Sequence, residues 1–178
     1  INFAPHALLA PGVEVPEDGD ISWNLYQINA DGSTGERVTT EYNDYKGFVE
    51  PGTYRLKTIL GSAETEQDIT ITATELSAPD VILNAAKVML HPKGTPDGPI
   101  DEGAGLNFQA APDINTTTYG DTRIYLPAGD VTLTATLGVA TQTETLHLNP
   151  GETLDRDVVI AVGLAAIEAY YIEGMHVD

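Results

Sequence analysis

Two acid-rich turns are where side chains of a suitable type stand close enough together to do chemistry. INADGSTGE (28–36) carries Asp31 and Glu36, and TPDGPIDEG (95–103) carries Asp97, Asp101 and Glu102. Carboxylates grouped on a tight glycine turn are hard oxygen donors of the kind Ca²⁺ takes, so calcium is the one cofactor these loops suggest. The spacing favours plain acidic turns instead. Neither loop sets its acids as D-x-D-x-D-G with a distal Glu, and Asp-Gly is a common turn signal in its own right. Other chemistry is thinner still. His6, His91, His147 and His176 show no HxH or HxxxH spacing, and Ser22, Ser33, Ser62 and Ser77 lie in no GxSxG context. Cysteine is absent, which removes disulfides, thiolate nucleophiles and Cys-ligated metals. No catalytic residue is assigned, and the chain is expected not to be an enzyme.

Charge narrows the partners. Eight Lys and Arg against 27 Asp and Glu give a formal net charge of −19. No basic stripe is left for phosphates, so nucleic acid and anionic membrane surfaces are poor partners. The longest apolar stretch, VVIAVGLAAI (158–167), is broken by Gly163 and too short to span a bilayer. Aromatics crowd one half of the chain: Trp23, Tyr26, Tyr42, Tyr45, Phe48 and Tyr54. An exposed Trp-Tyr platform would stack on sugar rings, but Trp23 alternates with Leu25 as a core residue does.

The elements that must carry these residues come in two copies. LPAGDVTLTATLG (126–138) matches VEPGTYRLKTILG (49–61), 77 positions earlier, and the match runs on without a gap. Over residues 39–86, 12 of 48 positions are identical to those 77 further on, against roughly 3 for unrelated sequence. Upstream, SWNLYQ (22–27) resembles GLNFQ (105–109), and LLAPG (8–12) is set against MLHPKG (89–94). No histidine falls on a histidine in that alignment. Ile1-Asn2-Phe3 reads as the end of the closing strand of an earlier copy, and LAAIEAYYIEG (164–174) as the start of a later one.

Each copy is a series of short alternating runs between Gly and Pro turns. Val131, Leu133, Ala135 and Leu137 alternate with Thr132, Thr134 and Thr136, and Tyr54, Leu56 and Leu60 face one way in the earlier copy. Strands are predicted near 6–10, 21–28, 37–42, 45–49, 53–60, 65–72 and 79–84, then 87–91, 105–109, 115–119, 122–126, 130–137, 141–148 and 155–161. No window shows a helical period with caps. The fold class is therefore all-β, with two tandem Ig-like, prealbumin-like β-sandwich repeats of about seven strands each. Their limits are 1–85 and 86–163, and 164–178 is read as the first strand of a truncated third repeat.

The order of turns in LPAGDVTLTATLG followed by LNPGETLDRDVVI resembles the prealbumin-like and carboxypeptidase-regulatory-like β-sandwich repeats of bacterial envelope and secreted proteins. Such repeats are sometimes attached to von Willebrand type A domains. One subfamily, the Cna-B-type modules, would imply a Lys–Asn isopeptide bond between the first and last strands. This sequence departs from that pattern: the first copy opens on His6-Ala7-Leu8, and the second has Lys87 but closes on Val158-Val159-Ile160. No isopeptide bond is expected.

The resemblance implies a non-catalytic spacer or adhesive stalk of an extracellular, cell-surface or periplasmic bacterial protein. Its partners would be neighbouring repeats of the same chain, with other surface proteins or glycans further candidates. The competing readings are a carbohydrate- or calcium-binding module and an accessory domain of a larger enzyme.

Overall fold

The computed structural model describes residues 1–161. They form an all-β structure of fourteen strands in four sheets. The first seven are β1 (His6–Ala10), β2 (Val13–Glu14), β3 (Ile21–Ile28), β4 (Thr34–Tyr42), β5 (Gly52–Leu60), β6 (Ala63–Ile71) and β7 (Asp80–Ile82). The next seven are β8 (Ala85–Lys93), β9 (Gly105–Ala110), β10 (Ile114–Tyr119), β11 (Thr122–Pro127), β12 (Gly129–Leu137), β13 (Ala140–Leu148) and β14 (Thr153–Val159). Sheets β2-β1-β7 and β4-β3-β5-β6 close over one core, and sheets β11-β8-β14 and β10-β9-β12-β13 over another. In each sandwich the first strand runs parallel to the last, β1 to β7 and β8 to β14. The segment read as the start of a third repeat, 164–178, lies outside the described residues.

Alternation builds both cores. Tyr54, Leu56 and Leu60 are buried from β5, Trp23 and Leu25 from β3, and Val81 from β7. In the second sandwich Val131 and Leu133 of β12 meet Leu106 and Phe108 of β9. Trp23 is a core residue, and its indole N–H donates to the Asn43 carbonyl at 2.7 Å. One-sided patterns of this kind pin strand register, because a slip of one residue would turn every apolar side chain to water. The ladders agree in the two copies: Trp23 lies opposite Thr58, and Leu106 opposite Ala135, 77 positions beyond Thr58.

The structure corrects several expectations. Residues 45–49 form no strand and make only a single bridge, Phe3 to Gly47, where the second sandwich has all of β11. Pro5 on the facing segment removes the amide that would continue the ladder, whereas its counterpart Leu90 keeps one and pairs with Thr122. Ile1-Asn2-Phe3 does not belong to an earlier copy. Phe3 is wholly buried in the first core, and the buried Asn2 side chain donates to the Val49 and Thr72 carbonyls at 2.8 and 2.9 Å. Leu137, expected in the core, is only half-buried.

The first strands also align differently from LLAPG on MLHPKG. Gly47 and Ser77 flank Phe3, while Ile124 and Leu154, each 77 positions further on, flank Val88. Phe3 therefore corresponds to Val88, and the same count sets His6 on His91. Matching Pro11 to Pro92 was misleading, because Pro11 sits in the turn after β1 whereas Pro92 lies inside β8.

Candidate functional site at the junction of the repeats

The groups that gather most tightly do so where the second sandwich meets the first. The chain crosses between the two cores almost without a linker. Leu83 and Ala85 are buried in the first core and Ala86 in the second. Asn84 makes the turn between them in the left-handed region at φ 49, a conformation Asn tolerates better than most residues. Its carbonyl accepts from the Ala128 amide at 2.8 Å, which ties the crossing to the turn between β11 and β12.

Tyr125 is the centre of the contact. It belongs by sequence to β11, yet its side chain is packed into the core of the first sandwich and only 6% exposed. Its carbonyl accepts from the Ser62 amide at 3.0 Å, in the turn between β5 and β6. Gly61 is required in that turn on two counts: its φ is 58, and a Cβ there would sit 2.8 Å from the Tyr125 oxygen.

The Tyr125 hydroxyl donates to Asp18 Oδ1 at 2.8 Å, and Lys87 Nζ donates to Asp18 Oδ2 at 2.7 Å. Arg123 adds a third contact at 3.1 Å, so one carboxylate from the first repeat gathers three groups from the second. The Lys87 ammonium also stands 6.0 Å from the centre of the Tyr125 ring, within cation–π range. The Lys87 hydrogen bond, and after it that of Tyr125, holds the Asp18 carboxyl below its ordinary range. Burial, then the bond to Asp18, pushes the Tyr125 hydroxyl well above its own. Across the physiological range Asp18 is thus ionised and Tyr125 neutral. Lys87, the first-strand lysine weighed in the sequence, is a junction residue.

The acid loops are elsewhere. Asp31 sits on the β3–β4 turn, where its Oδ1 accepts from the Ser33 amide at 3.0 Å and the Ser33 hydroxyl at 2.6 Å, and Glu36 is exposed on β4. Asp101 accepts from the Gly103 amide at 2.9 Å with Glu102 beside it, while Asp97 is exposed on the preceding turn. Among the described residues no three His, Asp or Glu side chains are grouped to hold a metal ion. A cleft of about 480 Å³ between the repeats is lined by Ser62, Glu64, Asp113 and Pro127 among others.

Sequence reasoning missed one repeated feature. His6 Nδ1 and Nε2 contact Asp80 at 3.0 Å and Glu14 at 2.7 Å, and His91 contacts Asp121 at 2.5 Å and Asp155 at 2.9 Å. Each ring is thus clamped between two carboxylates at the same place in its sandwich. The hydrogen bonds, to Asp80 first for His6 and to Asp121 first for His91, raise both imidazoles above their ordinary value.

No family model and no curated protein matches the chain in sequence. Among solved structures it is similar to the Bacillus anthracis TIE protein, at 15% identity over 90% of this chain and 34% of that one, with a TM-score of 0.38. It is also similar to the streptococcal ancillary pilin, at 14% identity over 89% of this chain and 61% of that one, with a TM-score of 0.41. The chain therefore spans about a third of the first and three fifths of the second. Among the described residues no helix is long and apolar enough to cross a membrane.

Proposed function

We propose that this chain is a non-catalytic spacer of a bacterial cell-surface or secreted protein, with units 1–85 and 86–163 held end to end as one stiff body. One observation carries the reading: Tyr125 of the second unit completes the core of the first. A flexible linker would let the units reorient freely. Here the crossing is a single residue, Asn84, with buried side chains on either side of it. The acidic surface supports the same role, since a net charge of −19 keeps such a body solvated and resists aggregation. The resemblance of the turn sequences to envelope-protein repeats supports the surface location.

The test is the alignment of the two units in solution. Residual dipolar couplings measured on the intact chain are expected to fit one alignment tensor for both sandwiches. Two tensors of different magnitude, the mark of independent tumbling, would overturn the spacer reading.

A further inference from the structure

The outer faces of the two four-stranded sheets put opposite chemistry on matching positions. In the first, Lys57 stands between Glu64 and Glu66, and Arg55 beside Asp68. In the second, the ladder rows from Asn115–Thr145 to Tyr119–Thr141 carry only threonines, side-chain amides, one glycine and Tyr119. A patch without formal charge, running across all four strands, is thus kept on a chain of net charge −19.

Gly105 opens a gap in the Tyr119 row. A Cβ added there would stand 3.5 Å from the Tyr119 ring, so the ring lies along the glycine, yet Tyr119 is 71% exposed. Beside it a groove of about 310 Å³ is lined by Asn107, Thr117, Thr134 and Thr136 among others. The Asn107 amide is held by donating to Thr117 Oγ1 at 2.9 Å and to Asn115 Oδ1 at 2.8 Å. The Thr134 and Thr143 hydroxyls stand 3.3 Å apart, and either can donate. In the first sandwich the same place is closed: Lys57 and Ile59 stand where Thr134 and Thr136 do, and Asn24, at the place of Asn107, is only 5% exposed. The chain after residue 161 does not decide whether the face is open. The second sandwich covers the Gly61 turn of the first, yet Tyr42, at the place of Tyr119, stays 66% exposed. A further unit docked in the same way would leave Tyr119 and its groove free.

We propose that this face binds a neutral saccharide, with one sugar ring stacked on Tyr119 and its hydroxyls bonded to Asn107, Thr117 and Thr134. A tyrosine ring offers a flat apolar surface to the C–H face of a sugar and a polar tip to its hydroxyls. Sugar hydroxyls both donate and accept, as the hydroxyls and amides of the patch do. A neutral ligand escapes the repulsion that a body of charge −19 exerts on acidic polymers. A protein partner would bring a contact with an apolar centre, and Tyr119 is the one large apolar body in the patch. The groove lies at the small end of the range for ligand sites, about 300–1,000 Å³, so it takes a short saccharide and holds it weakly. The inference adds a ligand to the spacer and does not require the junction to be stiff.

Amide NMR of the intact labelled chain tests it, with soluble oligosaccharides of cellulose, amylose, galactan and chitin as probes. At least one is expected to give saturable shifts centred on Gly105, Asn107, Thr117 and Tyr119. Tyr119→Ala should weaken that binding about tenfold, the loss of one aromatic contact. Thr134→Lys with Thr143→Glu gives the second sheet the Lys57 and Glu66 of the first, a pair this fold already carries, and should abolish binding. Tyr42→Ala should leave it unchanged. No saturable shift from any of the four probes, binding that survives Tyr119→Ala or the charged pair, or equal binding of a sulfated galactan fragment would overturn the proposal. Protection of Gly105, Asn107 and Thr117 from a soluble paramagnetic agent in the free chain would also overturn it, because the chain itself would then cover the face. None of these outcomes touches the single-tensor alignment of the two sandwiches, so the inference can fail while the spacer reading stands.

Discussion

On the outer face of the first four-stranded sheet, β5 and β6 meet through charge. Arg55 pairs with Asp68 at 2.9 Å, and Lys57 with Glu64 at 2.9 Å. At the same ladder positions in the second sandwich, Thr132, Thr134 and Thr136 of β12 face Thr145, Thr143 and Thr141 of β13. The same inward positions are buried in both, with Leu56 matched by Leu133 and Leu25 by Phe108, although their residues differ in size and polarity. Backbone register is therefore set by the buried face, and the solvated face is free to carry ion pairs or hydroxyls. Exposed pairs of either kind contribute little to stability. What separates the two repeats energetically lies in their interiors and at their ends.

The largest test of that contrast is Tyr125→Ala. Removing an aromatic ring from a core costs about 3 kcal/mol, and here the loss should fall on the repeat that does not contain the residue. Trp23 is the single tryptophan and lies in the first core, so its fluorescence reports that repeat alone. The tryptophan-monitored urea transition is expected to move to lower denaturant. A transition unchanged from the parent chain would show that the first core is complete without Tyr125.

A smaller change should act in the opposite direction. Thr58 is fully buried and its hydroxyl has no hydrogen-bond partner among the described residues, whereas its counterpart in the second repeat is the apolar Ala135. Thr58→Val keeps the shape and removes the unsatisfied group, which should raise the stability of the first repeat by about 1 kcal/mol. Loss of stability would mean that the hydroxyl is satisfied in solution.

The smallest expected effect is one the repeats share. The clamped imidazoles of His6 and His91 have folded pKa values above the unfolded one, which is about 6.5. Their contribution is therefore complete below that unfolded value and is lost as pH rises through the folded one. Both clamps are partly solvated, His6 more than His91, so the effect is weakened by screening. Stability of the parent chain should decline between pH 6 and pH 8, and His6→Gln with His91→Gln should flatten that decline. An unchanged slope in the double variant would assign the pH dependence to other groups.

How much of this was legible in the sequence follows from the range of each interaction. Alternation is local, so the buried positions Tyr54, Leu56, Val131 and Leu133 and the core role of Trp23 could be read directly. The ungapped 77-residue match gave the ladder from β4 onward. Phe3, His6 and His91 were misplaced because a gap falls within the first-strand region, and only the flanking strands decide where. Asp18 was invisible for another reason. It is one acid among 27 acids, and what distinguishes it is a hydrogen bond to Tyr125 across 107 positions. Leu137 has the alternation of a core residue, but it ends β12 and packs only against the margin of the second core.

The burial of Tyr125 in its neighbour also bears on how the chain comes off the ribosome. Synthesis runs from the amino end, so every strand of the first sandwich is made before the ring that fills the end of its core. Until residue 125 emerges, the end of the first core beside Leu60 and Ala63 lacks the ring that closes it. Its final stability is delivered by translation of the following unit, and a message truncated between 85 and 125 would yield a first sandwich that is whole in strands and short of one side chain.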